Sequence, residues 1–520
     1  MFRLGTALVA LFLVSCTQSY AQQIAEFFAA YQHSDTPGCA VGIEAPGQPI
    51  LTAAYGMADL EHAVANTPET VFEVGSVSKQ FTAAAVLLLV ERGKISLDDD
   101  VRRYFPELPK YERPITVRQL LNHTSGLRDW GEIEKIAGWP RWTREYTHAH
   151  VLEILSRQHA LNYAPGQTWS YTTSGYNLAA MLVERVTGAE LQAFCRKEFF
   201  EPLGMNSTQW RDNFRRIVPQ RAIAYDAKES VWYQDMPFED VYGNGGLLST
   251  VSDLLKWNRN MQSGHLHADV FRQMQRPGAL NDGSEIRYGF GLFLYHFVGL
   301  PEIIHAGATA GYRAWLGRIP SKDLSIALAC NAGTADTTDL AYRIAALYLG
   351  VPLPPLPPAP QEFTPGLYRN LRDHTSMHVN EKEGHLYSGR YPLRVPARVS
   401  GNDLILSNPV YGDDVSRRVT PGKPSHLSEF AGTYVSSEAQ TTLTVSVQKG
   451  KLVLHRSPDD NFDLKPAESD WFESDLADLH FLRDGFGKIR SLSLSGSRVW
   501  DLRFERDRSR PENRGPALTH

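Results

Sequence analysis

The chain has 520 residues, of which 42% are hydrophobic and 21% charged; that is enough for a sizeable core without disulfide staples and, at about 150 residues per domain, for roughly three domains. Its 53 basic and 58 acidic residues leave a net charge of -5, so no basic excess points to nucleic acid or an anionic membrane as partner. No run of about 18 or more apolar residues is present, which excludes a multi-span membrane protein.

In chain order, the first element is a short apolar stretch, Leu4 to Val14, behind a single basic residue, Arg3. This is the layout of an export leader. Two processing sites compete. Ser19-Tyr20-Ala21 predicts cleavage of residues 1–21, leaving Gln22 first. Leu13-Val14-Ser15-Cys16 predicts a lipoprotein anchored through Cys16. Either way the expected location is periplasmic or secreted, with membrane contact only through a lipidated Cys16.

Residues 22–350 are expected to form one α+β domain. Strands are predicted at Cys39–Glu44 and Pro49–Tyr55 around the Pro46-Gly47 turn, then helices at Thr147–Gln158 and Ser174–Thr187. Strands return at Gly291–Phe297, Ala314–Ile319 and Leu324–Asn331. Strands, helices and strands again suggest an antiparallel sheet built from both ends of the domain. Cys39, Cys195 and Cys330 lie in apolar runs and read as small buried hydrophobes, with at least one thiol unpaired. No Cys/His spacing suggests a zinc site, and no metal or organic cofactor is implied.

Residues 351–364 form a linker, with six prolines among the nine residues from Pro352 to Pro360, a stiff extended spacer. Beyond it lies a repeat offset by 66 residues. Gly366-Leu367-Tyr368 recurs as Gly432-Thr433-Tyr434, Val379 as Val445, Gly384-His385-Leu386 as Gly450-Lys451-Leu452, and Arg390 as Arg456. Alternating segments that turn at glycine predict hairpins. Two small antiparallel barrels, at 365–425 and 426–510, would close them without exposed edges; one larger sheet is the alternative.

The strongest chemical motif is Gly75-Ser76-Val77-Ser78-Lys79, followed by Phe81 to Val90, apolar on nearly every side. Such a helix is buried. Ser76 then stands at its N-terminus and Lys79 one turn on, on the same face. Burial disfavours charged lysine, so Lys79 can take a proton from the serine. Ser446-Val447-Gln448-Lys449 has the same spacing but runs from a strand into a turn and is dismissed.

Further stretches occur in order: Leu97-Asp98-Asp99-Asp100-Val101, Ile115-Thr116-Val117-Arg118-Gln119-Leu120-Leu121-Asn122-His123-Thr124-Ser125-Gly126-Leu127, Gly245-Gly246-Leu247-Leu248-Ser249-Thr250 and Tyr288-Gly289-Phe290-Gly291. With Ser76 and Lys79, the region from about 37 to 335 resembles the penicillin-recognising serine hydrolases, which include class C beta-lactamases, D-Ala-D-Ala carboxypeptidases, D-aminopeptidases and esterases. The resemblance implies a beta-lactamase-like fold, Ser76 as nucleophile, and Tyr171 as the tyrosine of a Tyr-x-Asn pattern that relays protons. Thr173 stands where asparagine is usual and cannot offer the same donor and acceptor pair. His305-Ala306-Gly307 replaces the usual Lys-Thr-Gly; histidine supplies less fixed charge, and Gly307 permits close backbone approach. The N–H groups of Ala308 and Ser76 would form the oxyanion hole. Arg313 is a candidate for a substrate carboxylate, against a structural salt bridge, and His123 is expected to hold its loop. The layout resembles D-aminopeptidases, in which a barrel loop reaches into the cleft. The function expected is acyl-enzyme hydrolysis of short peptides containing D-residues. A carboxylesterase, a beta-lactamase and a non-catalytic peptide-binding or penicillin-binding module are the alternatives.

Overall fold

A computed structural model of the chain describes residues 20–509 except 142, 423 and 425. Most of the predicted leader, Cys16 included, lies outside the described residues, and among those described no helix is long and apolar enough to cross a membrane.

The first domain centres on a six-stranded antiparallel sheet. Its strands are β1 (Cys39–Glu44), β2 (Leu51–Tyr55), β3 (Phe293–Phe297), β4 (Leu300–Thr309), β5 (Tyr312–Ile319) and β6 (Leu324–Cys330), in the order β3-β4-β5-β6-β1-β2. Both ends of the domain therefore build one sheet, and β6 pairs with β1. Side chains alternate between two cores, as strand geometry requires. Cys39, Val41, Ile326, Leu328 and Cys330 face a layer containing Ile24, Phe28 and Ile344, whereas Ala40, Ala314, Ala327 and Ala329 face the main helical core. Small residues on the second face let helices approach closely; a Cβ on Gly42 would lie 3.0 Å from Leu255.

That face carries α1 (Lys79–Glu91), α2 (Ser174–Thr187) and α3 (Val251–Ser263), while α4 (Thr337–Leu349) packs on the other. Every residue of α1 from Lys79 to Leu89 is buried. It runs against α2, and Phe81 stacks on Trp257 of α3 with ring centroids 4.0 Å apart. Thr250 caps α3 by accepting the Asp253 N–H at 3.2 Å, the side-chain cap expected of threonine.

Cys39 and Cys330 do not remain separate buried thiols. They face each other in the β1–β6 register and are joined by a disulfide across 291 residues of sequence. Strand pairing, invisible in linear spacing, brings them together. Cys195 is free and buried.

The repeat is structural. In each copy the opening glycine faces the matching valine, Gly366 opposite Val379 and Gly432 opposite Val445. The Tyr368 hydroxyl donates to Thr364 O and the Tyr434 hydroxyl to Phe430 O. The second copy closes as an eight-stranded barrel, its first strand (Gly432–Ser436) pairing with its last (Leu502–Arg506). The first copy, expected to be a barrel, is instead a seven-stranded sheet ending at Tyr391–Pro392 and Ala397–Ser400. Pro392 and Pro396 lack the N–H groups that a closing pair would need. The dismissed Ser446 lies mid-strand with its hydroxyl 2.7 Å from His455 Nε2, and Lys449 occupies the turn with φ +48°.

The barrel docks through Arg128, whose side chain is 1% exposed. Its guanidinium donates to Glu438 Oε2 at 2.6 Å and to the carbonyls of Trp500 and Asp501 at 3.3 and 3.0 Å. On the other flank, Arg372 of the seven-stranded region donates to Trp169 O at 2.8 Å.

One buried acid gives the sheet a pH signature. Glu302 on β4 is 1% exposed; Oε2 accepts from the Tyr342 hydroxyl at 3.2 Å, and Oε1 has no partner among the described residues. Burial pushes the carboxyl from its ordinary 4.5 up to about 7. Between those values the folded protein keeps a proton that the unfolded chain releases. The associated stability is therefore present below pH 4.5 and lost as pH rises to about 7. Glu302→Gln is expected to remove the loss, about 3 kcal/mol at most. Urea unfolding at about pH 5 and about pH 8 checks it; equal pH dependence in both proteins would contradict it.

Candidate active site

The site begins where β4 crosses the turn that leads into α1. A short 3-10 turn, Gly75–Ser78, precedes the helix. Gly75 has φ +49°, and a Cβ there would lie 2.6 Å from Ala308 N. A Cβ on Gly307 would lie 2.0 Å from Val74 O and 3.1 Å from Ser76 N. Only glycine at both positions lets the backbones pass. This approach brings the N–H groups of Ser76 and Ala308 to one end of the cleft, where a developing oxyanion can be held.

Lys79 is fully buried. Its Nζ donates to Ser76 Oγ at 3.1 Å and to Asn244 O at 2.6 Å, and lies 4.8 Å from the centroid of the Tyr171 ring. Burial lowers its pKa well below the ordinary 10.5, and the charges of Arg498 and Arg141 lower it further, against an opposing pull from Asp129. A neutral amine beside a serine hydroxyl can accept its proton.

Tyr171 supplies the third group. It lines the cleft with Ser76, and burial raises its pKa to about 12 against the lowering effects of Ser76 and of Arg498. It is therefore a phenol near neutrality, able to donate a proton, while Lys79 is the better acceptor.

Thr173 lines the cleft with its polar groups committed to Asp129. Its N–H and hydroxyl donate to Asp129 Oδ2 at 2.7 and 2.8 Å. Asp129 Oδ1 accepts the N–H groups of Gly131 and Glu132 at 3.0 and 3.3 Å. Burial raises this carboxyl, but the Arg498 charge and the Thr173 bonds outweigh it and leave its pKa below 3.8.

His305 is 2% exposed and belongs to a buried chain of donors. Thr172 N–H donates to His123 Nδ1 at 3.3 Å, which places the His123 proton on Nε2. That nitrogen lies 3.2 Å from the Tyr288 hydroxyl, which lies 3.2 Å from His305 Nε2. His305 Nδ1 donates to Ala306 O at 2.6 Å. With both ends fixed, every proton points from His123 toward His305. Burial, with Lys79 adding to it, lowers the His305 pKa to about 3. The imidazole is neutral and offers an anionic substrate no charge. His123, with φ +61°, also holds its loop, since its carbonyl accepts the Ser170 N–H at 3.1 Å and the Tyr163 hydroxyl at 3.0 Å.

Ser76, Tyr171, Thr173, His305, Gly307, Ala308 and Arg313 line one cleft of about 1190 Å³, with Lys79 directly beneath. Arg313 makes no salt bridge within 4 Å among the described residues; its Nη1 donates to Ala310 O and Tyr312 O at 2.6 and 2.8 Å. Both C-terminal units reach the cleft, through Arg390 and Val410 of the seven-stranded sheet and Arg498 of the barrel. Arg498, Asp129 and the Asn244 carbonyl carry no motif, and Tyr288 stands in a stretch of the resemblance without a site role assigned to it. The Gly496-Ser497 pair before Arg498 marks a turn, but nothing local aims that turn at Ser76.

Two outcomes follow from these contacts. Arg498→Gln removes a positive charge near Lys79, so the Lys79 pKa should rise and the acidic limb of kcat/KM move to higher pH; an unmoved limb on a neutral ester would contradict the assignment. Tyr288→Phe leaves His305 Nε2 without a donor and should cost about 1–3 kcal/mol in urea unfolding.

Residues 24–349 match the family described as Beta-lactamase. The chain is 29% identical over 338 residues to a D-aminopeptidase of Brucella anthropi, covering 62% of this chain and 61% of that protein. It is 26% identical over 329 residues to a D-aminopeptidase of Gluconobacter oxydans, covering 61% and 60%. The match thus spans about three fifths of the length of these relatives. The octameric penicillin-binding protein homologue from Pyrococcus abyssi superposes with a TM-score of 0.56 at 23% identity, over 85% of this chain and 98% of that one, a likeness of fold. The family match covers well over half of the sequence and contains the whole six-stranded sheet with the turn that carries Ser76: the chain belongs to the Beta-lactamase family.

Proposed function

We propose that the protein is a serine hydrolase that works through an acyl-enzyme on amide bonds of short peptides containing D-residues. The observation that carries this reading is the buried Lys79 amine 3.1 Å from Ser76 Oγ, with the Tyr171 ring centroid 4.8 Å from the same amine. Neutral Lys79 takes the Ser76 proton as Oγ bonds to the substrate carbonyl carbon. Tyr171 relays a proton to the leaving nitrogen as the C–N bond breaks. The N–H groups of Ser76 and Ala308 hold the oxyanion, and water then adds to the acyl carbon and frees the serine. The D-residue preference is supported by the D-aminopeptidase relatives.

A carboxylesterase is the second reading. It is favoured by Thr173, whose hydroxyl is committed to Asp129, and by neutral His305. Both leave fewer groups to grip an amide. We also infer export, supported by the leader pattern and by a disulfide suited to an oxidising compartment. The alternative of a Cys16 anchor is decided by the mass of the mature N-terminus.

Ser76→Ala should reduce hydrolysis at least about a thousandfold and abolish labelling by a fluorophosphonate probe. Wild-type turnover in that variant would overturn the mechanism. A panel of D-amino-acid amides and p-nitrophenyl esters separates the two readings, since turnover of esters alone removes the peptidase claim.

A further inference from the structure

Arg498 is a charge in the cleft that lowers the Lys79 pKa from a distance but takes no direct part in acyl transfer or in the packing of the barrel. It sits in the loop between the last two barrel strands, Ile489–Ser495 and Leu502–Arg506, and that loop is pinned. The Arg498 carbonyl accepts the Asp129 N–H at 3.2 Å and Asn162 Nδ2 at 3.0 Å. The Trp500 N–H returns to Asn162 Oδ1 at 2.8 Å, and Arg128 holds the next two carbonyls. The backbone is thus committed to the seam between domains, and the side chain is delivered to the cleft with its guanidinium 5.1 Å from the centroid of the Tyr171 ring.

Among the described residues this guanidinium makes no ion pair and donates no hydrogen bond. Asp129 feels its charge, but four donors already fill the acceptor sites of that carboxylate. The other cations of the cleft are engaged. Arg141 pairs with Glu239, Arg313 binds two carbonyls, and Arg390 donates to the Tyr391 hydroxyl at 2.7 Å. His305, on the strand where the resemblance expects a cationic lysine, is neutral. A guanidinium offers five donors in a planar fork matched to a carboxylate.

We propose that Arg498 is a specificity-determining residue that reads an anionic substituent, a carboxylate above all, on the substrate whose carbonyl is held at Ser76. Acidic substrates are then preferred, and a free ammonium group at the same place is rejected. The proposal rests on the acyl-enzyme reading and names the substrate class within it.

Two matched sets test it on the full-length protein. On the acyl side, p-nitrophenyl esters of D-alanine carry a succinyl, an acetyl or no N-cap. On the leaving side, N-acetyl-D-alanyl-D-alanine is compared with its C-terminal amide. In at least one set the anionic member should exceed its neutral counterpart by about tenfold or more in kcat/KM. That ratio should shrink with added salt in the unsubstituted protein, fall toward one in Arg498→Gln, and in Arg498→Glu turn toward the neutral or ammonium member. Turnover without an anion preference in either set, a preference insensitive to salt, or one that survives both substitutions overturns the proposal and leaves the hydrolase reading standing. Absence of turnover and of any Ser76 adduct by intact mass in every arm overturns the hydrolase reading and this proposal with it.

Discussion

The site depends on keeping one lysine out of water. A charged ammonium buried as deeply as Lys79 would be strongly disfavoured, and two neighbouring arginines disfavour it further. The surroundings make the charged form costly and so lower the pKa of the amine, which favours the form that can accept a proton. The surroundings are therefore part of the chemistry. A helix apolar on every face, a carbonyl from Asn244 and the ring of Tyr171 combine to exclude solvent.

Burial of Lys79 in turn constrains the backbone. The helix must start at the sheet for Ser76 to face the cleft, and β4 must pass the preceding turn at a distance no side chain permits. Gly75 and Gly307 meet that demand from opposite sides. Behind this contact, His123, Tyr288 and His305 form a line of hydrogen bonds with one proton direction. It leaves the wall beside Ser76 polar but uncharged.

The barrel brings a positive charge to the cleft. Where the family resemblance expects a cation on β4, the strand carries a neutral imidazole, and a cation arrives instead from the barrel loop as Arg498. Arg128 is the hinge of that arrangement. Its buried guanidinium satisfies carbonyls that flank the loop, so the position of the barrel and the electrostatics of the cleft are coupled.

Local periodicity in the chain was sufficient for five of the six strands of the sheet, the helix after Ser76 and the spacing that sets Ser76 beside Lys79, because each rests on residues a few positions apart; β4, with the glycine and histidine of its middle, was not among the predicted strands. The 66-residue repeat likewise announced two related β units, since each copy carries its own hairpin. Pairings across the fold were not legible. Cys39 meets Cys330 only because β6 returns beside β1. Closure of one repeat and not the other depends on which edges hydrogen-bond: Gly432–Ser436 pairs with Leu502–Arg506, whereas Tyr391–Pro392 and Ala397–Ser400, neighbours in sequence, do not pair. Thr173 is silenced by Asp129, and Arg498 becomes part of the cleft only through the docking of a domain more than 300 residues further along the chain. Spacing encodes what neighbouring residues do to one another; charge and solvent exclusion at Ser76 are set by groups that only tertiary packing brings together.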